Sequence, residues 1–203
     1  MSSDPYDYEN RHGIRPIAWT DFHAICKGLA RAVAPFQPDV ILAVGRGGYY
    51  PGTLIAHMLR KEIFPVRLSR RVQDQIVYDS PQWSVRPPEI VRGMRVLVVD
   101  EICSTGETLA IVRAETEALG AAAVRTAVMY SHSPHADIPD YIGVISDQLI
   151  LNPWDREVLQ GDDFIMHPEY ADALWQQGIT PDRSLMIDAP DFTPAKAADQ
   201  ASP

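Results

Sequence analysis

The chain has 203 residues, 46% of them hydrophobic and 22% charged, with a net charge of −9 and two cysteines. That length carries one α/β domain with a full core plus tails, and the composition excludes a disordered or fibrous chain. The acidic balance excludes a protein that coats nucleic acid, which needs a basic footprint.

Cys26 and Cys103 stand in no metal-ligand spacing and fit a reducing compartment. The start "MSSDPYDYENRHGIRP" lacks a basic region followed by an apolar stretch, and the apolar runs fall far short of the roughly 20 residues of a membrane helix. The expectation is a cytoplasmic protein with neither nucleic acid nor membrane as partner.

In chain order, "WTDFHAICKGLARAV" places Phe22, Ile25, Leu29 and Val33 at helical spacing, with Thr20 as N-cap and Pro35 ending the run. "DVILAV" is a continuous apolar run of the kind buried on both faces of a sheet, followed by the turn "GRGGYYPG" and a helix over "TLIAHML". "IFPVRL" predicts a second strand, which Pro65 places near an edge. Residues 69–93 carry three prolines and clustered arginines without a period, and form an excursion from the sheet of the length typical of functional lids.

"RVLVV" is the clearest buried strand, and "TGETLAIVRAETEALG" its helix, with Leu109, Val112 and Leu119 inward and Gly120 at the C-terminal end. "AVRTAVMY" and "YIGVIS" predict further strands, so the fold class is α/β, a mostly parallel sheet with helices on both faces. Residues 1–156 form this domain; residues 157–203 form an extension with one helix, "PEYADALWQQG", and a frayed proline- and alanine-rich end.

"VLVVDEICSTGETL", residues 96–109, joins two kinds of chemistry. Ligands of an open parallel sheet lie beyond the carboxyl ends of its strands, which is where Asp100 and Glu101 fall. The next residues lead into a helix N-terminus, whose free N–H groups and dipole favour a phosphate. Thr105 and Thr108 add hydroxyl donors, and Gly106 lets an anion approach the backbone. Carboxylates repel phosphate, so their partners are hydroxyl groups or a bridging Mg²⁺. A sugar phosphate with a free diol satisfies both halves.

This stretch resembles the phosphoribosyl pyrophosphate (PRPP) motif of type I phosphoribosyltransferases, nearest the 6-oxopurine branch. The resemblance implies that Asp100 and Glu101 hold the ribose 2- and 3-hydroxyls, directly or through Mg²⁺, and that Cys103, Ser104, Thr105, Gly106, Glu107 and Thr108 wrap the 5-phosphate. "PDVILAVGRGGYYPGTLIAHML" is similar to the family's pyrophosphate loop, which implies that Arg46, Gly47 and Gly48 grip the leaving pyrophosphate and that the Gly45–Arg46 peptide is cis. "NPWD" at 152–155 resembles the segment closing the base pocket in xanthine-guanine members, which implies a pocket formed by Trp154 and Asp155 with His132 and Leu149 or Ile150.

The implied activity is transfer of 5-phosphoribosyl from PRPP to a nucleobase, a purine first, by a Mg²⁺-dependent homodimer. Segment 69–93 takes the place of the mobile hood, with Arg70, Arg71 and Arg86 as phosphate contacts. One loop position departs from the pattern: Ser104 stands where purine members carry an Asp that manages the proton of the attacking base. That change, with His132 where the purine branch has a Lys, keeps a second reading open, a non-catalytic PRPP- or nucleotide-sensing protein on the same fold. A dinucleotide-binding domain is excluded because Tyr50 stands where G-x-G-x-x-G needs its last glycine.

Overall fold

The computed structural model describes residues 11–72, 75–132 and 138–187. The expected polar start over 1–10, part of the hood at 73–74 and the frayed end from 188 lie outside them. The chain divides into two compact units, residues 1–153 and 154–203.

In the first unit, β1 (Ile14–Pro16) precedes α1 (Trp19–Val33), which buries Phe22, Cys26, Leu29, Ala30 and Val33 along one face. The helix begins two residues earlier than Thr20 suggests. Its cap is Ala18, whose N–H donates to the Asp21 carboxylate at 3.3 Å, so an acid inside the first turn does the work assigned to a hydroxyl before it. There follow β2 (Val40–Val44), α2 (Tyr49–Leu59) and β3 (Glu62–Ser69). The hood contains β4 (Arg71–Val72) paired with β5 (Gln75–Ile76), and β6 (Gln82–Val85). It is therefore more regular than its composition predicts, because backbone pairing compensates for the missing apolar period.

Next come β7 (Arg95–Cys103), α3 (Glu107–Ala118), β8 (Ala123–Ser131), β9 (Tyr141–Ile145) and β10 (Leu149–Leu151). The main sheet has the order β6-β3-β2-β7-β8-β9, parallel except for β6. Its core packs Val40, Leu42, Val44, Val96, Val98 and Val128 beneath Leu109 and Val112 of α3, each contributing about 1.5–3 kcal/mol by leaving water. The other face carries α2, where Gly52 meets Ala43 of β2, and α1, where Ile25 and Leu29 meet Gly143 of β9. Pro65 lies on the part of β3 that pairs only with β2, since β6 joins β3 from Arg67 onward, so the missing N–H breaks no ladder.

Two features position the site. β7 does not stop at Val99, as the charge of Asp100-Glu101 suggested, but stays paired with β8 through Cys103. β2 ends sooner, its last partner on β7 being Val99. The two acids thus sit on a continuing strand whose other flank has just opened. Pairing with β8 offsets the cost of extending a charged segment.

The second unit holds a hairpin of β11 (Glu157–Gln160) and β12 (Asp163–Met166), which the sequence reading did not anticipate, and then the expected helix α4 (Pro168–Gln176). Among the described residues, no helix is long and apolar enough to cross a membrane.

Candidate active site

One cavity opens where β2 has ended, lined by Gly45, Arg46 and Gly47, by Leu68 to Arg71 and Pro81, and by residues 100–109. Its first wall is the turn between β2 and α2. The Gly45–Arg46 peptide is cis, as the resemblance implied. A Cβ on Gly48 would lie 2.8 Å from the Cα of Asp100, and one on Gly47 would run into Oε2 of Glu101. Only glycine lets the turn rest directly on the acidic strand. Arg46 is exposed at the cavity mouth.

The floor is the acidic pair. Asp100 is half-buried, its Oδ1 accepting the Glu101 N–H at 2.7 Å. Burial pushes its carboxyl from 3.8 up to about 7, with the Glu101 amide pulling weakly the other way. A carboxyl that holds its proton so long is one the protein leaves without a counter-charge, and hydroxyl donors or a cation in the cavity would stabilise its ionised form. Glu101 is held differently: its Oε1 accepts a short hydrogen bond from Nδ2 of Asn152, a residue only 2% exposed.

The second wall is the loop into α3. Gly106 caps the helix with φ of +82°, and Thr105 Oγ1 accepts the Glu107 N–H at 3.4 Å. Ser104 through Thr108 all line the cavity, so the first turn of the helix borders it with its N-terminal end. Cys103 is buried beneath the loop, its Sγ 3.7 Å from the Ile138 carbonyl. Burial first, and then the Asp100 charge, push its thiol up, so it stays a neutral S–H under the cradle.

The segment carrying Ile138 is fastened by Asp140. Its carboxylate accepts hydrogen bonds from Arg113 of α3, from Arg125 at 2.7 Å, and from the Thr126 N–H and hydroxyl at 2.7 and 3.0 Å. Burial alone would raise this carboxyl, but the Thr126 amide and the two arginines together hold it below the usual carboxylate range.

Of the hood arginines, Arg70 and Arg71 line the cavity, and the Nε of Arg70 is buried without a hydrogen-bond partner. Arg86 does not line it: its guanidinium pairs with Glu115 of α3 at 2.5 Å and lies over Trp83. Two residues expected in a base pocket are also engaged elsewhere. His132 Nδ1 is 2.8 Å from the Ser146 carbonyl, with burial lowering its pKa, and Leu149 is 1% exposed, paired with Ile14 of β1. Neither is on the cavity wall, nor is Ile150, which is 4% exposed. Trp154 and Asp155 open the second unit. Asn152, which sequence reasoning missed, lies 51 residues from the acid it holds; its one sequence signal was its place at the head of "NPWD".

With this geometry in hand, the comparisons with known proteins are consistent with one another. The family described as "Phosphoribosyl transferase domain" matches residues 19–160. A hypoxanthine-guanine phosphoribosyltransferase of Schizosaccharomyces pombe is 29% identical over 112 residues, 45% of this chain and 54% of that enzyme. The chain thus spans about half the length of this relative. An adenine phosphoribosyltransferase of Symbiobacterium thermophilum is 28% identical over 115 residues, covering 53% of this chain and 68% of that one. A purine phosphoribosyltransferase structure from Pyrococcus horikoshii superposes with a TM-score of 0.63 at 23% identity, covering 73% of this chain and 99% of its own, and shows the same fold.

Proposed function

The chain belongs to the phosphoribosyl transferase domain family, and from that premise we propose that it is an enzyme transferring the 5-phosphoribosyl group of PRPP to a purine with release of pyrophosphate. The observation that carries this reading is the meeting, in one cavity, of a glycine turn, adjacent carboxylates and a helix N-terminus. Those three features match the three chemical parts of PRPP: a leaving pyrophosphate, a diol and a 5-phosphate.

In the proposed reaction the bond from C1 to the pyrophosphate oxygen breaks as a purine ring nitrogen bonds C1. Charge builds on the leaving group, where Arg46, the backbone of Gly47, and the hood's Arg70 and Arg71 stabilise it, while Gly48, buried against Val99 and Asp100 and off the cavity wall, seats the turn. Asp100 and Glu101 accept hydrogen bonds from the ribose hydroxyls and set a negative field against the electron-poor ring. The cradle over Ser104–Thr108 fixes the 5-phosphate and hence the position of C1. Ser104 supplies a phosphate contact rather than a base, and the proton of the incoming nitrogen passes to an oxygen of the departing pyrophosphate. Arg70, Arg71 and Pro81 of the hood line the cavity and help exclude water that would hydrolyse the sugar.

Mg²⁺ fits these residues as an ion that arrives with substrate. Among the described residues no cluster of three or more His, Cys, Asp or Glu forms a metal site. A pair of carboxylates beside a phosphate site is the donor set this ion takes, through waters and substrate oxygens. Bound there, it would neutralise charge on the pyrophosphate. The reading includes a homodimer in the cytoplasm.

The test mixes the protein with PRPP, Mg²⁺ and each of adenine, hypoxanthine, guanine and xanthine, with orotate and uracil as contrasts, and follows pyrophosphate. Release with at least one purine supports the enzyme. PRPP binding without release for any base overturns it in favour of the sensing alternative, which the replacement of an acid by Ser104 favours.

A further inference from the structure

We infer that Asn152 is a positioning residue for PRPP binding: its side-chain amide fixes the carboxylate of Glu101 in the single orientation the glycine turn accepts. The inference rests on the proposed phosphoribosyl transfer and adds to it a role for a residue to which the motifs assign none.

Both oxygens of the Glu101 carboxylate are located by the structure. Oε1 accepts the hydrogen bond from Asn152 Nδ2, while Oε2 faces Gly47, where a Cβ would collide with it. A glutamate has three rotatable side-chain bonds, so without a tether its carboxylate samples several positions in an open cavity. A displaced carboxylate would move away from a ribose hydroxyl or press on the turn that is proposed to hold pyrophosphate.

Asn152 itself is 2% exposed, directly after β10, and its Oδ1 is buried with no hydrogen-bond partner. Leaving a buried amide oxygen unpaired is unfavourable, and an apolar residue of the same size would avoid that cost. The amide is therefore retained at a loss to stability. What it provides in return is the bond to Glu101. The carboxylate also fixes the amide's orientation, because turning it over would set oxygen against oxygen. Asn152 lies off the cavity wall and touches no substrate, so its action passes entirely through the acid.

The test measures PRPP binding by calorimetry in the presence of Mg²⁺ for the full chain, in a double-mutant cycle. N152L is expected to weaken PRPP about tenfold, in the range of a lost charge-assisted hydrogen bond, while leaving the KM for the purine within twofold. Its thermal midpoint should equal or exceed that of the wild type. In an E101A background the same substitution should weaken PRPP less than twofold further, because no side-chain acceptor remains to be held. If N152L fails to fold, N152S, too short to reach Glu101, takes its place with the same expected losses. A merely structural asparagine would shift the thermal midpoint and weaken PRPP equally in both backgrounds. That additive result, or unchanged PRPP affinity in N152L, overturns the inference and leaves the proposed function standing. Failure of the wild type to bind PRPP overturns both.

Discussion

Asp100 and Asp140 are both half-buried carboxyls beside the same strand pair, β7 and β8, and the protein treats them in opposite ways. Asp140 meets two arginines, a backbone N–H and a hydroxyl, and burial is outweighed. Asp100 meets one neighbouring N–H, and burial pushes it up to about 7. The first fastens a segment that supports the phosphate cradle; the second faces the cavity with its needs unmet. A structural acid is satisfied by the fold, whereas a binding acid is left for the ligand to satisfy, at a cost to the free protein.

The sharpest way to break this contrast is Asp100→Asn. Loss of the acid should lower kcat/KM for PRPP by about 100-fold or more, yet the ligand-free protein at pH 8 should gain about 1–3 kcal/mol. The sign follows from the raised carboxyl. The folded state keeps a proton that the unfolded chain loses near its ordinary value of 3.8, so wild-type stability falls as pH rises from about 4 to about 7. Asparagine removes that slope. Urea unfolding across pH, read beside the rate, decides the point: an unchanged rate or a less stable variant contradicts the assignment.

Asp140→Asn should do the reverse, lowering stability by about 2–3 kcal/mol by stranding Arg113, with kcat/KM within about fivefold of wild type. Here the folded carboxyl lies below its unfolded value. Its contribution is present above the ordinary carboxylate range and is lost as pH falls through the lower folded value, so the variant's acid-unfolding curve should be flatter below pH 4. Equal pH slopes in variant and wild type would count against this.

Smaller effects extend the comparison to the hood. Arg70→Ala, which removes a guanidinium whose buried Nε awaits a partner, should raise the KM for PRPP about tenfold with an unchanged thermal midpoint. Arg86→Ala, whose guanidinium is engaged with Glu115 and whose side chain is 60% exposed, should change KM less than twofold and stability by no more than about 1 kcal/mol. If steady-state kinetics rank the two alike, the division between satisfied and waiting charges fails in this region.

What was legible in the sequence is what the chain writes locally. The glycine turn, the acidic pair and the cradle are each contiguous, and their chemistry follows from residue types at fixed spacing. The extent of β7 was misjudged because Asp100-Glu101 looks like a strand end, while the ladder to β8 that continues past it joins residues 28 apart, as Asp100 and Val128 are. Pairing of β1 with β10 joins three residues to three others across most of the unit and leaves no periodic trace. Asn152 was invisible for the same reason: nothing near it in sequence announces a carboxylate 51 residues away. His132 and Leu149 were located by position in an expected pocket, and the structure uses one for a carbonyl and the other for packing.

The contact between Gly47 and Glu101 is direct. Because no side chain separates them, Gly47 can gain one only if the Glu101 carboxylate gives way, so the length of the acid sets how closely the glycine turn may lie on the strand.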